Sequence, residues 1–206
     1  MGRQPGRPKG RAEGEMRKRI LEAAADEFAR VGFEGARIEK VAEAAACNRS
    51  LVYFYFGGKP ALFEAVLNEA AEHREKQMAA QPTSLAEGLV YWFRQNMAEP
   101  RRIRLIMQEA LAPPLPSGLP ERRRQYLERQ LQVEKAFQAA GLLRSDLDPH
   151  HLLTLFLAVT SFPASFPKVA TVSLGAAGEA DMLTEWSAGI ADLAALLQPP
   201  PLDPGP

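Results

Sequence analysis

Residues 38–59 read Ile38-Glu-Lys-Val-Ala-Glu-Ala-Ala-Ala-Cys-Asn-Arg-Ser-Leu-Val-Tyr-Phe-Tyr-Phe-Gly-Gly-Lys59, and they contain two short apolar patterns separated by a break. The first pattern places apolar side chains at positions i, i+3, i+4 and i+7, namely Ile38, Val41, Ala42 and Ala45. Because this is the spacing of one face of an α-helix, it predicts a short helix over 38–45 that is buried on that face.

The second pattern follows Asn48, whose side-chain oxygen can cap a helix. Leu51, Val52 and Phe56 of this helix would face inward, and Gly57-Gly58 would end it. Two short helices joined by about three residues, the second opening with polar and basic side chains, are typical of the helix-turn-helix, which places its second helix in the major groove of DNA. The four rings of Tyr53-Phe54-Tyr55-Phe56 cannot all be buried on so short a helix, so some are predicted to face a partner or solvent.

The flanking segments complete an N-terminal domain. Residues 1–14 are polar and rich in Gly, Pro and Arg, which predicts a flexible basic arm. Helical spacing from Glu15 to Val31 makes 15–59 a three-helix, homeodomain-like helix-turn-helix domain, and 60–81 is predicted to be a connecting fourth helix. The arm resembles an AT-hook, which would insert Arg7, Lys9 and Arg11 into a minor groove; a merely solubilising tail is the alternative.

A second helical domain is predicted over 82–197. Its helices are expected at 84–98, 101–111, 121–140, 149–162 and 179–197, with a loop-like stretch at 163–178 and a disordered tail at 198–206. No segment reads as a convincing strand, so the fold class is all-α.

Charge is distributed unevenly although the formal net charge is zero. Residues 1–59 hold 12 Lys and Arg against 8 Asp and Glu, a net +4, and the remainder holds 13 against 17, a net −4. A positive module joined to a negative body is expected when only the former meets phosphate.

Composition excludes several other classes. No apolar run approaches the roughly 20 residues that cross a bilayer, and no signal peptide is visible, which predicts a cytoplasmic protein. One cysteine and three histidines make no metal site, and no cofactor is expected. An enzyme is the least expected class because phosphate loops and nucleophile motifs are absent.

The segment Ile38 to Lys59, followed by Leu62-Phe63, resembles the signature of the TetR family of transcriptional regulators, in which an Ile/Val-Ala pair, a turn and a Leu-Tyr-x-x-Phe-x-x-Lys stretch recur. The resemblance covers about residues 15–70, and Ala140-Gly-Leu-Leu-Arg-Ser-Asp-Leu-Asp-Pro149 resembles the link before the family's penultimate helix. It implies a dimeric repressor that binds a palindromic operator and is released by a small hydrophobic effector. A sensor or carrier of the same fold without specific DNA binding is the alternative, and an architectural protein without sequence preference is a further one.

The resemblance also implies DNA-contacting positions. Arg49 and Ser50 would reach base edges, with Asn48 as cap and possible contact, and arginine suits guanine through its bidentate fork. Phosphates would be contacted by Tyr53, Tyr55, Lys59 and Arg37, and Phe54 would pack on a thymine methyl or the backbone.

Two residues of the turn depart from the family pattern. Ala46 replaces the usual glycine, so the turn must either avoid a left-handed conformation or absorb a strain of about 1 kcal/mol. Cys47, at a position commonly held by valine, is either a redox switch or, as the more ordinary interpretation, a buried core residue.

In the second domain the resemblance implies a ligand pocket and a dimer interface. A bulky stripe at helical spacing is more often plain core than a pocket. Pocket candidates are Trp92, Phe93, Met97, Met107, Phe137, Phe156 and Phe162. Interface candidates on the last two long helices are Leu152, Leu153, Phe156, Ile190, Leu193 and Leu197.

Overall fold

A computed structural model of the chain describes residues 9–77, 84–112 and 119–199, and within them every regular element is a helix. The predicted all-α fold class is therefore confirmed. The helices are α1 Lys9–Gly35, α2 Ile38–Ala44, α3 Arg49–Phe56, α4 Lys59–Gln77, α5 Leu85–Ala98, α6 Pro100–Leu111, α7 Leu119–Ala139, α8 Pro149–Ser165, α9 Pro167–Ser173 and α10 Glu179–Leu196.

Helix α1 begins earlier than the sequence predicts. It includes Lys9 to Gly14, which the pattern assigned to the flexible arm, because residues such as Ala12, Glu13 and Glu15 favour a helix and offset the two glycines. Residues 1–8 and positions 200–206 of the predicted tail lie outside the described residues. The backbone of α1 also kinks at Gly32, where φ is 73°, before it ends at Gly35.

Helix α8 continues through Pro163, where the sequence predicts an end. A proline inside a helix supplies no N–H to the carbonyl four residues earlier, here that of Val159. The indole Nε1 of Trp186 donates to this carbonyl oxygen at 3.0 Å and satisfies it instead. Helix α9 then occupies part of the stretch predicted to be loop-like at 163–178, so that prediction is wrong for Pro163 to Ser165 and Pro167 to Ser173.

The chain divides into two compact units whose boundaries differ from those predicted. The first unit contains the described residues up to His73 and those from Arg104 to Glu121, and the second contains the described residues from Arg74 to Ile103 and from Arg122 onward. Helix α6 therefore contributes residues to both units. Sequence periodicity predicts one continuous second domain over 82–197, because it shows which face of a helix is buried but not which core buries that face.

The first unit is built on a core of large apolar side chains. Phe28, Phe63, Ile20 and Leu62 are fully buried, and the rings of Phe28 and Phe63 lie with their centroids 4.7 Å apart. Leu105 of α6 belongs to the same core. Full burial of such side chains contributes roughly 1.5–3 kcal/mol each, which holds the two short helices α2 and α3 in place.

The second unit has its own core, in which α5 packs against both α8 and α10. Phe93 of α5, Phe156 of α8 and Ile190 of α10 are buried in it. Asn96 is buried as well, and its amide Nδ2 donates to the backbone carbonyl of Thr160 at 2.8 Å. This bond ties α5 to α8 close to the proline turn of that helix.

The turn between α2 and α3 adopts the strained form of the two that the sequence allowed. Ala46 has φ 49°, which is the left-handed region, and Cys47 N–H donates to the carbonyl of Ala42 at 2.9 Å. Arg19 of α1 donates through Nη2 to the carbonyl oxygen of Ala45 and so ties the turn to α1. The fold therefore absorbs the strain instead of avoiding it.

Ala46→Gly should raise the free energy of unfolding by about 1 kcal/mol, because glycine adopts φ 49° without a Cβ clash. The measurement is urea unfolding of the full chain. Ala45→Gly is the matched control, since Ala45 is buried with an ordinary φ of −76°, and there glycine should destabilise instead. Equal effects at the two positions would contradict the assignment of strain to Ala46.

Candidate nucleic-acid interface

Helix α3 has one face in the core and one in solvent. Val52 and Phe56 are buried, and Tyr55 is half-buried against the same core. On the other face Asn48, Arg49 and Ser50 are exposed, followed by Tyr53 and Phe54. The prediction that some rings of the aromatic run remain outside the core is confirmed, and Phe54 is the most open of them at 79% exposed.

The ends of α3 are formed as the sequence predicts. The Asn48 side-chain oxygen accepts the backbone N–H of Leu51 at 2.9 Å, and Gly57 ends the helix in the left-handed region with φ 77°. The Asn48 cap stabilises the first turn of α3, so the backbone of residues 49 and 50 is held in helical geometry and their exposed side chains project from a defined position.

Arg49 is held in place by two neighbours. Its Nη1 lies 2.8 Å from a carboxylate oxygen of Glu39 in α2, and its Nη2 donates to the Tyr53 hydroxyl at 3.1 Å. The guanidinium carbon lies 5.2 Å from the centre of the Tyr53 ring. The hydrogen bond to Tyr53, and then the charge of Glu39, raise the pKa of Arg49. The arrangement fixes the guanidinium on the outer surface and leaves part of its fork of donors available.

Glu39 was not among the residues predicted from sequence to belong to the site. It is exposed and lies ten positions before Arg49, on another helix, so no helical spacing connects the two. The packing of α2 on α3 brings them together. The pairing of Glu39 with Arg49, the leading base-reading candidate, therefore could not be predicted from the sequence and required the three-dimensional structure.

The predicted phosphate contacts fall in different environments. Lys59 is half-buried, and its Nζ donates to the carbonyl of Glu34 at 3.0 Å while lying 4.9 Å from the centre of the Phe33 ring. Two of its three N–H donors remain for a ligand. Arg37, just before α2, is exposed. The structure thus gives Arg37, Tyr53 and Lys59 accessible polar groups, whereas Tyr55 is mostly engaged with the core.

The N-terminal arm keeps only part of its predicted form. Arg7 lies outside the described residues. Lys9 and Arg11 lie on the backbone of α1, which is helical there and not extended as an AT-hook requires, and their side chains are outside the description. The prediction of an extended arm is therefore wrong from Lys9 onward.

Cys47 is half-buried against the core of the first unit. Burial raises the pKa of its thiol, with the charge of Arg19 acting in the opposite direction. A reactive cysteine needs a lowered pKa, so the environment favours the core interpretation over the redox switch.

In the second unit the pocket candidates divide by burial. Phe93 and Phe156 are buried core residues, and Trp92, Met97, Phe137 and Phe162 are half-buried. Met107 lies on the part of α6 that belongs to the first unit, whereas the other candidates lie in the second. The sequence pattern could not separate it from them, since it lies on an apolar stripe of the same kind.

The predicted dimer-interface residues are mostly core residues of their own chain. Within one copy the exposed fractions are 3% for Leu152, 9% for Leu153, 5% for Phe156, 1% for Ile190 and 9% for Leu197. Leu193 is half-buried against the same core. Side chains that a single chain already covers have almost no area left to offer a partner, which leaves only Leu193 of this set with a partly exposed surface.

Two negative findings apply to the described residues alone. No three His, Cys, Asp or Glu side chains are grouped there as metal ligands would be. No single helix in those ranges is long and apolar enough to cross a membrane, although α8 and α9 together reach that length, with a bend of 102° between them.

Comparisons with known proteins agree with this architecture. Residues 20–66 match the family model of bacterial regulatory proteins of the tetR family, and residues 86–188 match the tetracyclin repressor-like C-terminal domain. The chain is 28% identical over 159 residues to the HTH-type transcriptional repressor SCO4008 of Streptomyces coelicolor, covering 76% of this chain and 82% of that protein. It is 30% identical over 176 residues to the HTH-type transcriptional regulator RutR of Escherichia coli K12, covering 79% and 81%.

A solved structure is similar over nearly its whole length. The crystal structure of SCO4942 from Streptomyces coelicolor superposes with a TM-score of 0.75 and 26% identity, covering 89% of this chain and 99% of that one. Two family models and relatives matched over most of their length leave one assignment: the chain belongs to the TetR family of DNA-binding transcriptional regulators, which are not enzymes.

Proposed function

We propose that the chain is a ligand-responsive repressor that binds a palindromic operator as a homodimer in the cytoplasm. The observation that carries the DNA-binding part is the outer face of α3, where a capped first turn presents Arg49 and Ser50 beside Tyr53. In this proposal Arg49 reads guanine from the major groove and Ser50 contacts an adjacent base edge. Asn48 is a further contact, and Phe54 packs against a thymine methyl or the sugar backbone.

Phosphate contacts fix the register. Tyr53, Lys59 and Arg37 would donate to phosphate oxygens on either side of the groove, with a smaller part for Tyr55 because it is half-buried. The net +4 over residues 1–59 supports this division of roles, since the positive charge lies in the module that would meet DNA.

The dimer would use the outward faces of α8 and α10. On α8, Leu155 is 37% exposed and Ala158 lies one turn further along the same face. On α10, Leu196 is 73% exposed, and Ala188 and Ala195 lie on the exposed side of that helix. Small side chains allow close helix approach and the leucines supply apolar area, so a two-fold pairing of these faces would cover them.

Selection of DNA from a random library by the full-length protein tests the proposal. We expect an enriched motif with two inverted half-sites, centred about 34–36 Å apart or somewhat more, and a protein of dimeric mass in solution. Arg124→Ala removes an exposed basic side chain of α7 and should recover the same motif. Enriched sequences without a shared motif, bound no better than the starting library, would instead favour a sensor of this fold without specific DNA binding.

Replacement of Glu39 by glutamine should raise the affinity for random DNA about two- to fivefold, because a carboxylate that competes with phosphate for Arg49 is removed. The affinity for the selected operator should rise less, because Arg49 then loses the contact that orients it. The ratio of operator to random affinity therefore falls, as measured by fluorescence anisotropy at fixed salt.

Glu43→Gln is the control for this prediction. It removes another exposed carboxylate of α2, one that pairs with Lys40 at 2.8 Å and not with Arg49, and it should leave the ratio unchanged. An equal gain on both DNAs in Glu39→Gln would mean that Glu39 contributes charge alone.

A further inference from the structure

Glu134 of α7 is a buried carboxylate with an unsatisfied oxygen. The residue is 8% exposed, and its Oε2 has no hydrogen-bond partner among the described residues. Glu128 of the same helix is different: its side chain is exposed, and a carboxylate oxygen lies 2.7 Å from Nη1 of Arg124. Buried carboxylates are ordinarily hydrogen-bonded or ion-paired, so the absence of a described partner for Oε2 of Glu134 requires an explanation.

The apolar face of α7 includes Glu134. Leu131, three residues earlier, is buried, and Phe137, three residues later, packs against the core of the second unit. Side chains three and four positions apart lie on one face of a helix, so the carboxylate shares the inward direction of these two. Gln138, one turn further, is occupied, since its Nε2 donates to the carbonyls of Arg144 and Leu147.

This burial is unfavourable for the ionised form. It raises the pKa of Glu134 to about 7. If Glu134 served packing alone, an apolar side chain of similar size would make the folded protein more stable. A buried carboxylate in the proposed ligand-responsive unit is a candidate for function.

We propose that Glu134 is the recognition group of the effector site and that it binds hydrophobic organic cations, whose protonated nitrogen donates a hydrogen bond to Oε2. This rests on the ligand response proposed above. A cation is favoured over an anion, which an ionised carboxylate would repel. It is favoured over a neutral donor because an opposite charge compensates the burial of the carboxylate more fully. Leu131 and Phe137, on the same face of α7, offer apolar surface for the rest of such a ligand.

The test uses the full chain at pH 8, where Glu134 is ionised and alkylamines remain protonated. The probes are benzylamine, 4-phenylbutylamine and 1-naphthylmethylamine, each compared with the alcohol of the same skeleton. Thermal unfolding midpoints over a range of probe concentration give each dissociation constant. We expect at least one amine to stabilise the wild type, with its alcohol binding at least about tenfold more weakly.

Two variants locate the effect. Glu134→Gln keeps the shape and should weaken amine binding about 10- to 100-fold, whereas Glu128→Gln should bind as the wild type does. The proposal is overturned if amines and alcohols stabilise the wild type equally, if Glu134→Gln retains full amine affinity, or if no amine stabilises the wild type.

The operator provides a separate readout. Without amine, the wild type and Glu128→Gln should bind the selected operator equally; the bound amine should release both of them and should fail to release Glu134→Gln. Amine binding by a protein that binds no specific DNA would support the site while it overturns the proposed repressor function. Operator binding without amine binding would do the reverse.

Discussion

Replacement of Arg49 by alanine should lower the affinity for the selected operator about 10- to 100-fold, with a much smaller loss on random DNA. A bidentate contact from arginine to guanine discriminates against other bases by about 1–3 kcal/mol, and the guanidinium is already held on the outer face of α3 by Glu39 and Tyr53. The measurement is fluorescence anisotropy with both DNAs at the same salt concentration. Re-selection from the random library should give a motif relaxed at one base pair of each half-site.

Two further substitutions separate base reading from charge. Arg49→Lys keeps the charge but lacks the planar fork, so its operator affinity should lie close to that of Arg49→Ala. Arg37→Ala removes an exposed cation before α2 and should weaken binding to both DNAs alike, with a salt dependence reduced by about one charge per protomer. Unchanged operator affinity in Arg49→Ala would exclude it as a base-reading residue.

Helix α3 could be predicted closely from sequence because its determinants are local. The Asn48 cap, the inward Val52 and Phe56, and the left-handed Gly57 all act within one or two turns of α3. The cap of α8 is equally local: the Asp148 side chain accepts the N–H of His150 at 2.7 Å. Such features depend on spacing along one helix, and a sequence displays that spacing directly.

Features that depend on distant partners could not be predicted. The sequence predicts a helix end at Pro163 because proline has no N–H to donate to the carbonyl of Val159. The N–H that satisfies this carbonyl belongs to Trp186, which is 27 positions after Val159. Glu39 and Arg49 are brought together by the packing of two helices. The sequence shows that a backbone or side-chain group lacks a local partner, but it does not show which distant residue supplies that partner.

Five of the six predicted dimer-interface residues are buried within one chain, for a related reason. An apolar stripe on α8 or α10 marks a buried face, but a monomer core and a subunit interface have the same composition at this level. Leu152 and Ile190 belong to the core, while the less hydrophobic outward stripes carry Leu155 and Leu196. Burial within one chain, which only a three-dimensional structure provides, distinguishes the two faces.

Replacement of Glu134 by glutamine should stabilise the protein at pH 8 by about 3 kcal/mol and have almost no effect near pH 4.5. Burial raises the pKa of Glu134 from 4.5 to about 7, so between these values the folded chain holds a proton that the unfolded chain releases. The folded state therefore loses stability relative to the unfolded state as the pH rises through this window. Glutamine, which resembles the protonated acid and does not titrate, removes that loss. Urea unfolding of wild type and variant from pH 4.5 to 8 measures the difference.

Glu128→Gln is the control for this pH dependence. Glu128 lies on the same helix but is exposed and paired with Arg124, so its replacement should change stability by less than about 1 kcal/mol at any pH in the range. Parallel curves for wild type and Glu134→Gln would mean that Glu134 ionises as an exposed carboxylate does. If the unfolding free energies of wild type and Glu134→Gln converge below pH 5 and separate above pH 7, the ionised Glu134 destabilises the folded protein as an unpaired buried charge. A bound cation would compensate that charge.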